Sequence, residues 1–205
     1  MTFILGLTGS IAMGKSTTAG LFRRLGVPVH DADAAVHALY AGAAAPLIQS
    51  AFPGTTVAGI VDRDRLRAAV LGNPEALQRL EAIVHPLVRE SEQIFLKRTA
   101  DAPLAILDVP LLLETQGDRR CDAVVVVTAP AAVQRARALA RPGTTVETLE
   151  QILSRQMPDA EKRRRAHFLV DTSRGLDSAE AQVRSILACL AGRPGKVLRM
   201  REKAG

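Results

Sequence analysis

The residues "GSIAMGKST" at positions 9–17 have the spacing of a phosphate-binding loop, G-x-x-x-x-G-K-[ST]. Glycine lets the backbone turn tightly enough for several N–H groups to converge on phosphate oxygens. Lys15 is placed to reach the β- and γ-phosphates of a nucleoside triphosphate, and the Ser16 hydroxyl to hold Mg²⁺. The spacing predicts a nucleotide site, and it is shared by kinases, switches and motors.

The segments on either side of the loop have the pattern that such a site requires. The apolar run "FILGLT" at 3–8 predicts a buried strand, and "KSTTAGLFRRLG" predicts a helix that ends at Gly26. A helix that begins near Lys15 points its positive end at the same place as the loop N–H groups. Strand, loop and helix together therefore support the phosphate-binding interpretation.

Among the protein classes that use this loop, a small-molecule kinase fits the chain best. A guanine-nucleotide switch needs N-K-x-D, yet Asn73 is the only asparagine. The usual γ-phosphate sensor D-x-x-G is also missing, because no Asp is followed by Gly three positions later. A motor or repair ATPase normally has a larger core and partner domains, for which 205 residues leave no room.

A kinase also needs a carboxylate beside the acceptor hydroxyl and cations around the transferred phosphoryl group. The second predicted strand is "VPVHD" at 27–31, and "HDAD" lies at its end. Either Asp31 or Asp33 caps the next helix while the other faces the site. Asp108 ends the third predicted strand and either supports Mg²⁺ through water or holds the loop "VPLLLE". Arg137 and Arg141 are one helical turn apart and so share a face. Spacing alone does not choose which lid cations act among these two and the arginines that follow, Arg155, Arg163, Arg164 and Arg165.

The alternation of strands and helices predicts an α/β fold, a five-stranded parallel sheet flanked by helices in a single domain. A long helix from Asn73 contains Pro86, which is expected to kink or divide it. The parts are a core at about 1–42, 101–134 and 166–192, a helical substrate region at about 43–100, a lid at about 135–165, and a basic, solvated tail at 193–205.

Composition bears on partners and compartment. The net charge of +6 and pI near 10.0 motivate a nucleic-acid binder as the competing hypothesis. We disfavour it because the 22 Arg and 5 Lys are spread along the chain and aromatic residues make up only 3%. Cys121 and Cys189 are far apart, no apolar run is long enough to span a bilayer, and "MTFILGLTG" is unlike a signal peptide. We expect a cytoplasmic protein without nucleic-acid or membrane partners.

The order and spacing of several blocks resemble the dephospho-CoA kinase family over nearly the whole chain. The blocks are "GLTGSIAMGKST", "DADAAVHALY", "LEAIVHPLVRE", "LDVPLLLET", "RQMPDAEKRRRA" and "FLVDT". The resemblance implies transfer of the γ-phosphoryl group of ATP to the ribose 3′-hydroxyl of dephospho-CoA, with Mg²⁺, to give coenzyme A and ADP. This reaction is the final step of coenzyme A biosynthesis.

The resemblance also implies roles for individual residues. Asp33 would be the general base or would orient the acceptor hydroxyl, and Arg141 would be the lid arginine that stabilises charge on the transferred group. His85 and Arg89 are weaker candidates for substrate contact, and His85 is equally well explained as a helix-kink residue that precedes Pro86. The ATP phosphates would be held by Thr8, Gly9, Ala12, Met13, Gly14, Lys15, Ser16 and Thr17.

The sequence departs from the family pattern at a few positions. The family loop more often reads G-G-I-G-x-G-K-S, whereas this chain has Ser10 and Ala12. Alanine fits at little cost if its φ is negative, but a positive φ would add strain of about 1 kcal/mol. His167 and Thr172 stand where the family tends to have an acidic residue and asparagine, so contacts to the nucleotide base in that segment stay open.

Overall fold

A computed structural model of the chain describes residues 1–197, and it contains two compact units. One unit comprises residues 1–30 and the chain from Thr99 onward, and the other comprises Asp31–Arg98. The helix after "HDAD" packs with the other helices of the second unit, which begins at Asp31.

The elements follow one another in an order that alternates strands and helices in the first unit. In chain order they are β1 (Phe3–Thr8), α1 (Lys15–Arg24), β2 (Val29–Asp31), α2 (Ala32–Tyr40), α3 (Ala44–Ala51), β3 (Thr56–Val57), β4 (Ile60–Val61), α4 (Arg63–Val70), α5 (Pro74–Arg98), β5 (Leu104–Asp108), β6 (Ala123–Thr128), α6 (Ala131–Leu139), α7 (Val146–Ser154), α8 (Asp159–Arg165), β7 (Phe168–Asp171) and α9 (Leu176–Leu190). A short 3-10 turn at Gly117–Arg120 precedes β6.

The predicted five-stranded parallel sheet is confirmed, with the strand order β2-β5-β1-β6-β7. β1 is central, and its Leu7 lies opposite Asp108 of β5 and Val125 of β6. All six residues of β1 are buried, as expected for a parallel strand with both faces covered. The carboxyl ends of β1, β5 and β6 therefore meet at one edge of the sheet, where the phosphate-binding loop begins.

Apolar side chains cover both faces of this sheet. On one face, Leu5 and Val125 pack with Phe22 of α1 and Val183 of α9. On the other face, Val124 and Val126 of β6 pack with Leu112 and Leu113 of the segment after β5. This burial is the main force that holds the strand ends in place, because apolar area removed from water is worth about 25 cal/mol per Å².

In the helical unit, α2, α3 and α4 pack against α5 around buried residues such as Ile48, Phe52 and Leu66. A small antiparallel hairpin, β3–β4, was not predicted; its turn uses Ala58 and Gly59 at φ 49° and 78°. Of the two expectations for Pro86, division of the long helix is wrong, because α5 is continuous from Pro74 to Arg98, and a kink stays a prediction. A missing N–H removes one hydrogen bond, whereas the apolar side of α5 stays packed along the unit.

The first part of the predicted basic tail is bound to the sheet. The backbone N–H groups of Lys196 and Val197 donate to Asp122 Oδ1 at 2.6 and 3.0 Å, and Gly195 is buried. The tail is thus attached at 195–197, although Arg193, Pro194 and Lys196 are exposed, and residues 198–205 lie outside the described residues. No helix within residues 1–197 combines the length and apolarity needed to cross a membrane.

Candidate active site

The phosphate-binding loop is a tight turn between β1 and α1. The Met13 N–H donates to the Ser10 carbonyl at 3.2 Å, and Gly14 has a left-handed conformation with φ 94°. α1 begins at Lys15, and no side chain caps it. The first N–H groups of a helix have no partner within the helix, so those of α1 are available to an anionic ligand.

The structure explains why positions 9 and 14 of the motif are glycine. A Cβ at Gly9 would lie 2.7 Å from the Val127 carbonyl oxygen, so the loop passes too close to β6 for any side chain. A Cβ at Gly14 would lie 3.0 Å from Thr172, in addition to the strain of its positive φ. The spacing of the motif thus reflects one close approach and one left-handed turn.

Ala12 has the positive φ that the sequence left open, at 61°. The left-handed conformation costs an alanine about 1 kcal/mol. Its methyl group is only 6% exposed and packs with Ala138 of α6 and Leu149 of α7. Burial of the methyl group offsets the strain, and it also links the loop to the two helices that carry the predicted lid.

Lys15 is held by an ion pair with Asp108. Its Nζ lies 2.7 Å from Asp108 Oδ1, and the two side chains are 13% and 1% exposed. The sequence suggested Mg²⁺ or the following loop as the partner of Asp108, and the pairing with Lys15 is a third arrangement. The pair fixes the lysine ammonium beside the loop, because a buried carboxylate needs a counter-charge.

Two residues that were expected to hold phosphate have side chains that form hydrogen bonds to the backbone of neighbouring segments. Thr8 is fully buried, and its hydroxyl donates to the Pro110 carbonyl at 2.9 Å. Met13 is 1% exposed, and its sulfur accepts from the Ala129 N–H at 3.1 Å. These side chains face inward because they fill the space between the loop and the neighbouring strands. Ser16 and Thr17 are exposed in the first turn of α1.

Two of the candidate lid arginines, Arg137 and Arg141, have different surroundings in the structure. Arg137 donates to the hydroxyl and the carbonyl of Thr172 at 2.7 and 2.8 Å, and the Thr172 hydroxyl donates to the Met13 carbonyl at 2.8 Å. Arg141 is exposed and lines a concavity of about 330 Å³ together with Gly14 and Thr17. Among the described residues its guanidinium has no hydrogen-bond or ion-pair partner.

Buried polar contacts that the sequence did not predict join α8 to the segment after β5 and to the end of β6. The Lys162 side chain is fully buried, with Nζ 2.8 Å from Glu114 Oε1, and the same oxygen accepts from the Met157 N–H at 2.9 Å. Asp159 accepts from the Thr128 hydroxyl at 2.8 Å. A lysine within "EKRRR" looks like solvated surface, and only the contact with the segment after β5 shows that it is buried.

The aspartates of "HDAD" have different positions. Asp31 is the N-cap of α2, and its Oδ1 accepts from the Ala34 N–H at 3.0 Å. Asp33 is exposed in the first turn of α2 and has no hydrogen-bond or ion-pair partner among the residues described. Asp31 is thus the capping residue, and the role of Asp33 stays a prediction.

His85 and Arg89 lie one turn apart on the exposed side of α5. They line a shallow concavity of about 400 Å³ with Glu81, Glu90 and Gln93. α5 continues unbroken through Pro86, and this continuity does not decide between His85 as a substrate contact and His85 as a residue of a kink. Both residues therefore stay candidates for substrate contact.

Asp171, at the end of β7, helps to fix the chain that leads into Thr172. The Ser173 backbone N–H, which donates to Asp171 Oδ1 at 2.8 Å, and the Ser173 hydroxyl hold the pKa of this carboxyl below its usual value. Hydrogen bonds that favour the charged form of a carboxylate lower its pKa in this way. The charged form of Asp171 thus stabilises the turn beside the loop.

A five-stranded parallel sheet flanked by helices, with a phosphate-binding loop after its central strand, is the arrangement of P-loop kinases. A shikimate kinase from Bacteroides thetaiotaomicron shares the fold, with a TM-score of 0.51 at 17% identity over 92% of this chain and 98% of that one.

Closer similarities identify the family. The dephospho-CoA kinase family model matches residues 3–178. A dephospho-CoA kinase from Mesorhizobium japonicum is 60% identical over 94% of this chain and 98% of its own length. The crystal structure of TT1252 from Thermus thermophilus has a TM-score of 0.82 and 37% identity over 93% of this chain and 99% of that one. The chain belongs to the dephospho-CoA kinase family, whose members use ATP in the final step of coenzyme A biosynthesis.

Proposed function

We propose that this chain transfers the γ-phosphoryl group of ATP to the ribose 3′-hydroxyl of dephospho-CoA, giving coenzyme A and ADP. The observation that carries the proposal is the phosphate-binding loop with Lys15 paired to buried Asp108, in a chain 60% identical to a dephospho-CoA kinase. The loop N–H groups and the amino end of α1 bind the phosphates of ATP, and Lys15 contacts the β- and γ-phosphates.

Arg141 supplies positive charge to the transferred group. It lines the concavity beside Gly14 and Thr17 and has no partner among the described residues, so its guanidinium is available to phosphate oxygens. Arg137 is engaged with Thr172 and acts through it on the loop. Positive groups that meet the charge of the transition state are the main source of catalysis in phosphoryl transfer.

Asp33 acts on the hydroxyl group of the acceptor substrate. Because Asp31 caps α2, the Asp33 carboxylate is left to accept a hydrogen bond from the ribose 3′-hydroxyl. The hydroxyl oxygen forms a bond to the γ-phosphorus, the bond between that phosphorus and the β–γ bridging oxygen breaks, and ADP leaves with the bond electrons. Asp33 takes the hydroxyl proton. His85 and Arg89 contact the acceptor.

The residues present fit Mg²⁺ bound with the nucleotide. Ser16 has an exposed hydroxyl in the first turn of α1, and oxygen ligands are those that Mg²⁺ prefers. The residues described contain no group of three or more His, Cys, Asp or Glu side chains placed to hold a metal. This agrees with an ion bound mainly by substrate phosphates and water, where it neutralises phosphate charge.

We also infer that the chain acts in the cytoplasm on small molecules, without nucleic-acid or membrane partners. Cys121 and Cys189 are free thiols, and several arginines, such as Arg165 with Asp118, are paired with carboxylates. We expect no binding to duplex or single-stranded nucleic acid at low salt. Binding that weakens steeply with salt would contradict this inference.

The reaction is tested with purified protein, ATP, Mg²⁺ and a panel of acceptors, by measuring ADP release. We expect dephospho-CoA to be the preferred acceptor, and Asp33→Asn to fold normally with kcat lower by about 10²- to 10⁴-fold. Asp31→Asn is the matched control, because asparagine caps a helix as well as aspartate does. Near-normal kcat in Asp33→Asn would exclude it as the base, and preference for another acceptor would refute the proposed substrate.

A further inference from the structure

Two glutamine side chains form hydrogen bonds to the backbone of Ile11 in the phosphate-binding loop. The Ile11 N–H donates to Gln156 Oε1 at 3.0 Å, and the Ile11 carbonyl accepts from Gln134 Nε2 at 2.9 Å. Gln134 is a buried residue of α6, and Gln156 follows the end of α7. Both backbone polar groups of Ile11 are therefore bonded to side chains from outside the loop.

The residue that follows is the strained one. Ala12 has φ 61°, and such a conformation persists only when the surrounding structure determines it. Gln134 and Gln156 hold the residue before it, and the Thr172 hydroxyl holds the Met13 carbonyl after it at 2.8 Å. Side-chain hydrogen bonds thus fix the backbone on both sides of Ala12.

We propose that Gln134 and Gln156 are positioning residues for nucleotide binding, which set the shape of the loop before ATP arrives. This inference rests on the proposed binding of ATP phosphates by the loop. Fixing the N–H groups in advance removes part of the ordering cost that a ligand otherwise has to offset. Neither glutamine needs to touch the nucleotide for this effect.

The same two residues connect the loop to the segment that carries Arg141. Arg141 lies between Gln134 and Gln156 along the chain. Met157, next to Gln156, is fixed in turn because its N–H donates to Glu114 at 2.9 Å. Release of either glutamine thus loosens the loop itself, while the chain beyond Gln156 keeps its bond to the segment after β5. The effect should therefore fall on ATP binding.

The test uses Gln134→Met and Gln156→Met, which keep the length of the side chain and remove the amide. Gln151→Met is the matched control, because Gln151 is exposed on α7. Affinity for a non-hydrolysable ATP analogue with Mg²⁺ is measured by calorimetry, together with KM for each substrate and thermal unfolding. We expect each variant to bind the analogue about 5-fold more weakly, since one hydrogen bond is worth about 1 kcal/mol. KM for dephospho-CoA should stay within twofold in both variants and in the control.

A double variant separates positioning from general loosening. Because both bonds act on one residue, the loss in the double variant should be smaller than the product of the two single losses. The proposal is overturned if the single variants bind the analogue as the unaltered protein does. It is also overturned if KM for both substrates rises equally and in step with lost thermal stability. Failure of the proposed function is distinct, since the unaltered protein would then not bind the analogue or not phosphorylate dephospho-CoA.

Discussion

The two units of the chain hold their candidate residues in different ways. In the first unit Lys15 is paired at 2.7 Å with Asp108, which is 1% exposed. In the helical unit Asp33, His85 and Arg89 are exposed and have no hydrogen-bond or ion-pair partner among the residues described. The candidate site for the phosphoryl donor is thus held by contacts within the protein, whereas the candidate acceptor residues lie exposed on helix surfaces.

This difference follows from what each substrate demands. Triphosphate binding needs several N–H groups and cations that converge on one place, and fixing them in advance lowers the ordering cost of binding. The consequence is a unit that contains strained backbone at Ala12 and a fully buried ammonium at Lys162. We therefore expect substitutions in the first unit to change stability and activity together, and those in the second to change activity alone.

The largest combined effect on stability and activity should come from Asp108→Asn. Loss of the carboxylate charge leaves the mostly buried Lys15 ammonium without its counter-charge, and breaking a buried pair costs about 3 kcal/mol. We expect the free energy of unfolding to fall by about 1–3 kcal/mol, since asparagine keeps the shape and one oxygen. We also expect kcat/KM to fall by about 100-fold, equivalent to about 2.7 kcal/mol. Urea unfolding and steady-state kinetics measure the two effects.

Asp101→Asn is the control for this substitution, because Asp101 is exposed. Asp33→Asn supplies the other side of the comparison, since it should reduce kcat and leave the free energy of unfolding unchanged. If Asp108→Asn were as stable as the unaltered protein, the ion pair would not be part of what holds the first unit together.

The next substitution is expected to change stability, through the buried ion pair of Lys162 and Glu114. In Lys162→Met the carboxylate of Glu114 stays largely buried without its cation, and we expect a loss of about 3 kcal/mol in the free energy of unfolding. The double change Lys162→Met with Glu114→Gln removes both charges and keeps an oxygen for the Met157 N–H. Most of the loss should then be recovered. A double variant no more stable than the single one would assign the loss to packing.

The sequence predicted those features that depend on local spacing. The loop, its flanking strand and helix, and the five strands were all predictable, because an apolar run or a glycine pattern specifies each of them. The pairing of Lys15 with Asp108 was not, since it joins residues 93 positions apart. Lys162 was also missed, because a lysine beside three arginines has the composition of a surface. The sign of φ at Ala12 depends on packing against α6 and α7, so the sequence left both options open.

A smaller effect is expected in the helical unit from Arg89→Gln. The exposed guanidinium can make charge-assisted hydrogen bonds to an anionic acceptor. We expect KM for dephospho-CoA to rise about 10-fold, equivalent to about 1.4 kcal/mol, with KM for ATP and thermal stability unchanged. Arg79→Gln is the control, since Arg79 is exposed on the same helix. An equal rise in both KM values would remove Arg89 from the acceptor site.

The smallest effect should come from Ala12→Gly, although it changes the most strained residue of the phosphate-binding loop. Glycine removes about 1 kcal/mol of left-handed strain. It also gives up the buried methyl group, worth about 0.8 kcal/mol, and adds about 0.4–1 kcal/mol of freedom to the unfolded chain. These terms nearly cancel, so urea unfolding should show a change of less than about 1 kcal/mol. A clear gain in stability would mean that the contacts with Ala138 and Leu149 do not offset the strain, and that the first unit retains it in order to shape the loop.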